Sequence, residues 1–322
     1  MKKNIIYLIL ILFSTFLNAN EKIVLQLKWF HQFQFAGYYA AKEKGFYDEV
    51  GLNVEIRQRD LKYNNIDEVI NGNAQYGVAD SILILYRLKQ QPVVIVSPIF
   101  QHSPSVFISL KKSNISSVYE LNNKDILFYP NDTDGFSLLA MIKKFDLDVN
   151  LVRERYKDDY MRLINNEVDV MPAYIANEPF LFKEKGYDVN IINPTNYGFD
   201  MYGDMLFTNE DEAKNNPIRV EKFKEATLKG WKYALENKEE IIQLINEKYS
   251  KEKNDEVVYE IFTMIYKRLD PEALQKIHSQ VESVQAKRIA EFTEAIKLYN
   301  NKEYAKSKEI LLKLIDLFEK QF

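Results

Sequence analysis

Cysteine is absent from all 322 residues. That removes disulfides, thiolate metal ligands, the thiol nucleophile and the cysteine through which a bacterial lipoprotein is anchored. Histidine is scarce too. His31, His102 and His278 are the only three, too widely spaced for a histidine-rich metal motif, so no metal site is expected. Glycine numbers only 10, and no Gly-x-x-x-x-Gly-Lys loop, Gly-x-Gly-x-x-Gly turn or Gly-x-Ser-x-Gly elbow occurs; no cofactor is implied. Basic charge is not in excess: 43 Lys and Arg face 47 Asp and Glu, which argues against nucleic acid and against an anionic membrane surface. After residue 20 no apolar run is long enough to cross a bilayer.

What is present is a globular composition, 46% hydrophobic and 28% charged, with an aromatic content of 13% that can supply core and ligand surface together. The length exceeds the usual single core and predicts two lobes with a seam between them. Residues 1–19 read as a cleavable secretory signal: two early lysines, an apolar run from Ile5 to Leu12, and Ala19 before Asn20. The expected location is therefore the periplasm.

From residue 21 short β-like runs alternate with helical segments, which predicts βαβ units and a largely parallel sheet. Strands are expected at 23–29, 53–58, 76–79 and 93–100, with helices at 36–45, 66–71 and 81–90. Asp80 or Ser81 would cap the last of these. After Ser103-Pro104-Ser105 the alternation resumes, with strands at 126–129, 151–156, 168–174 and 188–192 and helices between them. From Pro217 onward the pattern is helical. This order predicts one α/β lobe from 21–103 plus 206–285, a second from 104–205, and a C-terminal helical hairpin at 286–322. Two lobes joined by two crossings form a hinged clamshell whose cleft collects strand C-termini from both sides.

Acidic pairs such as Asp158-Asp159 and Glu239-Glu240 lie in charged helical stretches and read as solvated faces. The remaining candidates are rings, amides and lone acids at predicted loop edges. "WFHQFQFAGYY" follows the first strand, where Trp29, His31, Phe35, Tyr38 and Tyr39 would offer stacking area and hydrogen bonds to a planar ligand, or else pack in the core. In "AYIANEPF", Asn177 is a natural helix cap and Glu178 either complements the helix end or accepts from a heterocycle's amino group. Tyr202 and Asp204 lie at the return crossing, beside Gly203.

Those stretches, with "NGNAQYGVADS", "NPTNYGFDMYGDMLFTNE" and "KGWKYALEN", resemble the thiamine-pyrimidine-precursor-binding and synthase-like family of type II periplasmic binding proteins, over roughly residues 23–250. The resemblance implies a two-lobed clamshell that closes over a small, flat, nitrogen-containing molecule. Trp29 and the tyrosines near 38 and 174 would sandwich the ring, with Glu178 on its amino edge and Asp80 facing the same cleft. Enzymes of the family place a Lys and a His after the strand that matches "YGVADSILIL", where this chain has Ala79 and Leu83, and carry a cysteine-rich run that is missing here. The reading is therefore a binder and not a synthase: the solute-binding protein of an ABC importer, with the permease as partner. A ligand-sensing component of a membrane receptor is the alternative, and the self-consuming synthase a third.

Overall fold

A computed structural model describes residues 20–130, 134–154, 159–250 and 306. The expected signal segment and the C-terminal hairpin at 286–322 lie outside the described residues. The chain divides into two compact units, Met1–Arg268 and Leu269–Phe322, and the account below concerns the first.

Its first half builds β1 (Glu21–Gln26), α1 (Ala36–Glu43), α2 (Phe46–Glu49), β2 (Leu52–Arg57), α3 (Asn65–Ile70), β3 (Tyr76–Ala79), α4 (Leu83–Leu88) and β4 (Val93–Phe100). Then come β5 (Ser105–Leu110), β6 (Asp125–Leu127), α5 (Phe136–Lys144), β7 (Asn150–Val152), α6 (Tyr160–Ile164), β8 (Met171–Tyr174), α7 (Glu178–Glu184) and β9 (Val189–Ile192). The chain returns through β10 (Gly203–Asn209) and closes this unit's described part with α8 (Glu210–Asn215), α9 (Pro217–Glu236) and α10 (Lys238–Lys248).

Three sheets result: the first has the order β2-β1-β3-β10-β4, the second β8-β5-β9, and the third pairs β6 with β7. A parallel bridge from Ile126 to Val170 brings β6 alongside the segment that leads into β8. The expectation of a largely parallel sheet is only half right. β1 runs parallel to β2 and β3, but β10 is antiparallel to both β3 and β4, and β5 is antiparallel to β8 and β9. The reason is topological: a chain that leaves one sheet and comes back must insert its returning strand against the direction of the strands already laid down. β10, buried along its whole length, was legible only as a crossing.

The two crossings, Phe100 to Ser105 and Ile192 to Gly203, run side by side. Ser103 N–H donates to Met201 O at 2.6 Å, Gly203 pairs with Phe100, and the His102 Nδ1 to Asp200 Oδ1 distance is 2.7 Å.

Helices cover the first sheet by burying one stripe each. In α9 the buried positions Phe223, Ala226, Thr227, Gly230, Trp231 and Ala234 recur at spacings of three and four, the period of a helix with one apolar face. Pro217 starts it, where a missing N–H costs nothing. Phe223 stacks on Tyr76 at 3.9 Å, and α9 crosses α1 at two glycines. A Cβ on Gly230 would lie 2.3 Å from the Gly37 carbonyl oxygen, and a Cβ on Gly37 would lie 2.2 Å from the Trp231 ring. Gly230→Ala is therefore expected to lower stability by about 1 to 3 kcal/mol, despite alanine's better helix propensity. Urea unfolding checks it, and a variant as stable as the parent would refute this close crossing.

Candidate functional site

A parallel sheet delivers the ends of its strands to one edge, and an antiparallel strand inserted among them begins at that same edge. Lys28 lies two residues past β1, Asp80 one residue past β3, and Asp204 is the second residue of β10. The register pairs Met205 with Ala79, which brings the acids at 80 and 204 together. From the second sheet, Tyr174 ends β8. All four meet. Lys28 Nζ bonds to Asp80 Oδ1, donates to the Tyr174 hydroxyl at 2.6 Å and lies 3.2 Å from Asp204 Oδ1. Tyr174 OH donates to Asp204 Oδ1 at 2.8 Å, and Gln34 Nε2 donates to Asp204 Oδ2 at 3.0 Å. Asp204 is fully buried and holds a left-handed φ of +44°, a conformation a non-glycine residue keeps only when its surroundings enforce it.

Burial alone would drive the Lys28 amine toward neutrality, but Asp80 and Asp204 outweigh it and hold its pKa above the ordinary 10.5. Burial, reinforced by Asp80, pushes the Asp204 carboxyl above its ordinary 3.8 against the pull of Lys28 and Tyr174. Burial also drives the Tyr174 phenol well above 10, with the two carboxylates adding to the shift. The amine is thus a fixed cation.

Above this cluster opens a cleft. Trp29 lines it beside Tyr129, edge to face with centroids 6.2 Å apart. One ring follows β1 of the first sheet and the other follows β6 of the two-stranded one, so the pair joins separate sheets. Asn177 and Glu178, at the start of α7, line it too. A second cross-sheet contact lies behind: buried Arg59 bonds to Asn65 and reaches Asp134 Oδ2 at 3.4 Å, and Asp134 is part of the lining. Among the described residues no group of three His, Cys, Asp or Glu is placed to hold a metal ion. No helix among them is long and apolar enough to cross a membrane.

Of the residues singled out from the sequence, Trp29, Asp80, Tyr174, Asn177 and Glu178 line this cleft, and Asp204 lies directly beneath it. The others are elsewhere. Phe35, Tyr38 and Tyr39 are at most 1% exposed and belong to the core: Tyr38 meets Trp231 of α9 edge-on at 5.8 Å, and Tyr39 stacks on Tyr249, just past α10, at 4.1 Å. His31 pairs its Nδ1 with the Tyr39 hydroxyl at 2.9 Å and is not among the lining residues. Burial, then the charge of Lys42, keeps its pKa below 6.5. Tyr202 is exposed and contributes its backbone carbonyl, which accepts from Ser81 Oγ at 2.6 Å.

The expected caps also changed roles. Asp80 turns to Lys28 and Ser81 to Tyr202, leaving α4 without a side-chain cap, and Asn177 does not cap α7. Glu178 accepts instead from Tyr174 N–H at 2.7 Å.

Gln32 and Gln34, amides of the candidate stretch after β1, also line the cleft, whereas Lys28, Tyr129 and Asp134 were not selected from the sequence. For Lys28 a signal existed: it interrupts an apolar run at a strand end, and a buried amine demands an acid partner. Tyr129 and Asp134 carry no such mark.

The profile of the family described as "NMT1/THI5 like" matches residues 32–241. The riboflavin-binding protein RibY of Chloroflexus aurantiacus is 26% identical over 236 residues, 70% of this chain, and the match spans 65% of that protein's length. The formylaminopyrimidine-binding protein of Halalkalibacterium halodurans is 23% identical over 232 residues, 70% of each chain. Among solved structures, the alkanesulfonate-binding protein SsuA from Xanthomonas axonopodis pv. citri bound to MOPS superposes with a TM-score of 0.60 at 13% identity, covering 76% of this chain and 84% of its own. The periplasmic nitrate-binding protein NrtA from Synechocystis PCC 6803 gives 0.58 at 12% identity, covering 74% and 69%. The fold is that of the type II periplasmic binding proteins.

Lys28→Met would leave Asp80 and Asp204 buried without their cation, and should cost about 3 to 5 kcal/mol. Adding Asp204→Asn should recover part of that loss. A raised lysine pKa gives stability that is complete below 10.5 and lost only as pH rises through the folded value. The deficit of Lys28→Met should accordingly stay level from about pH 7 to 9 in urea unfolding. No recovery in the double variant would refute the coupling.

Proposed function

The chain belongs to the NMT1/THI5-like family, and from that premise we propose that it is a solute-binding protein which captures a small planar heterocycle for an ABC importer. The observation that carries this reading is that Trp29, after β1 in the first sheet, and Glu178, after β8 in the second, line one cleft. A ring offers stacking surface and an acid an acceptor, and a guest held by both joins the two sheets.

We read the described part of the first unit as two lobes, 21–103 plus 206–250 and 104–205, hinged at the paired crossings. Bonds between them, Lys28 to Tyr174 and Arg59 to Asp134, belong to a closed arrangement. Closure around a guest removes both from water, and the closed shape is what a permease would recognise. The periplasm fits such a role. The relative that binds formylaminopyrimidine makes a thiamine pyrimidine precursor the first candidate ligand.

No reaction is assigned. The sequence lacks a lysine at the position where the family's synthases carry one, yet the fold does bring an amine, Lys28, to the cleft. Two carboxylates keep that amine protonated, and an ammonium has no lone pair with which to form a Schiff base.

The test is a titration with formylaminopyrimidine and riboflavin, followed by Trp29 fluorescence and by heat. Trp29→Ala and Glu178→Gln should each weaken binding of whichever ligand is taken by about 1 to 3 kcal/mol while thermal unfolding stays cooperative. Unchanged affinity in both variants would sink the assignment.

A further inference from the structure

Binding an anion in a closed cleft requires donors or cations aimed at it, because the anion loses its water and must find replacements. In this cleft the donors of Lys28, Tyr174, Gln34 and Gln32 are spent on the protein's own acceptors. Among the described residues that line it, Lys28 is the only cation, and it is bonded to Asp80 with Asp204 at 3.2 Å. The Tyr174 hydroxyl accepts from Lys28 and spends its proton on Asp204. Gln34 directs its amide N–H to Asp204, and Gln32 directs its own to the Gln34 oxygen. Asp204 thus collects donors from three lining side chains on both sheets. At the mouth of α5, whose N-terminus would otherwise attract negative charge, stands Asp134, and the Arg59 guanidinium behind it is engaged by Asp134 and Asn65.

We propose that the cleft admits an uncharged or cationic ligand rich in N–H or O–H donors and turns away anions, phosphate esters and sulfonates included. The proposal rests on the cleft being a small-molecule site, and names the charge class that site accepts. Asp80, Asp204 and Lys28 are its specificity determinants. Lys28 cancels much of the charge of the two acids without leaving an ammonium for the guest, and a guest phosphate would meet carboxylates where it needs donors.

Calorimetric titration of the full chain tests this with four probes: an aminopyrimidine carrying a hydroxymethyl group, the phosphate monoester of the same molecule, riboflavin, and the sulfonate MOPS. The uncharged pyrimidine or riboflavin should bind, the ester should bind at least ~100-fold more weakly than its parent, and MOPS should give no saturable heat at millimolar concentration. Riboflavin binding without the pyrimidine would support the exclusion of anions while moving the ligand to a larger ring system. An ester or MOPS bound as tightly as the uncharged probes would overturn the proposal and leave the small-molecule cleft standing. Binding of none of the four would overturn the cleft reading, and this proposal with it. In a second arm, Asp80→Asn removes one of the two carboxylates holding Lys28. The penalty on the ester should shrink by about tenfold, and an unchanged penalty in the folded variant would overturn the role given to Lys28. Should that variant not fold, the ratio of ester to parent in the unmodified chain decides alone.

Discussion

A lysine ammonium buried between two carboxylates is the constraint around which the unit is arranged. Lys28 is 7% exposed and Asp204 is fully buried, and neither charge could be tolerated there alone. Each needs the other within bonding distance. The residues that satisfy them come from the end of β1, the end of β3, the start of β10 and the end of β8. The cluster therefore specifies how two sheets and a return crossing meet, and any shift of one sheet against the other would leave a charge without its partner.

That requirement explains the left-handed backbone at Asp204. Gly203 before it packs within 2.9 Å of the Pro104 ring, measured from where a Cβ would stand, so the two crossings touch where the strand begins. Asp204 must then turn its carboxylate toward Lys28, Gln34 and Tyr174 together. The paired crossings and the floor of the cleft are thus one piece of structure: Tyr174 belongs to the second sheet, and its hydroxyl completes a cluster otherwise built on the first.

Aromatic residues divide by the same logic. Tyr38 and Tyr39 sit on a helix packed between α9 and the residues that follow α10, meeting Trp231 and Tyr249, and Phe35 precedes it by one residue; all three are in the core. Trp29 stands in the short loop before that helix, where no partner element claims its ring, and it meets Tyr129 across the cleft. A dense run of rings in the sequence thus serves two ends, and its position relative to the first helical turn decides which residue serves which.

The sequence by itself determined the alternation of elements, the two crossings, the strand-end location of a site, and five lining residues that stand at strand ends or helix starts: Trp29, Asp80, Tyr174, Asn177 and Glu178. The alternation, with Trp29, Asn177 and Glu178, follows from local periodicity and from the rule that sheet edges collect ligands, both readable along a chain, whereas Asp80 and Tyr174 were placed in the cleft by what the family resemblance implied. Tertiary structure alone decided the antiparallel insertion of β10, the burial of Phe35, Tyr38 and Tyr39, and the meeting of Lys28 with Asp80 and Asp204, 52 and 176 positions away along the chain. Hydrophobic period names the face of an element that will be buried, whereas which distant charge answers a buried one depends on strand order and register. That order is fixed only when the whole sheet has formed, and no short stretch of residues carries it.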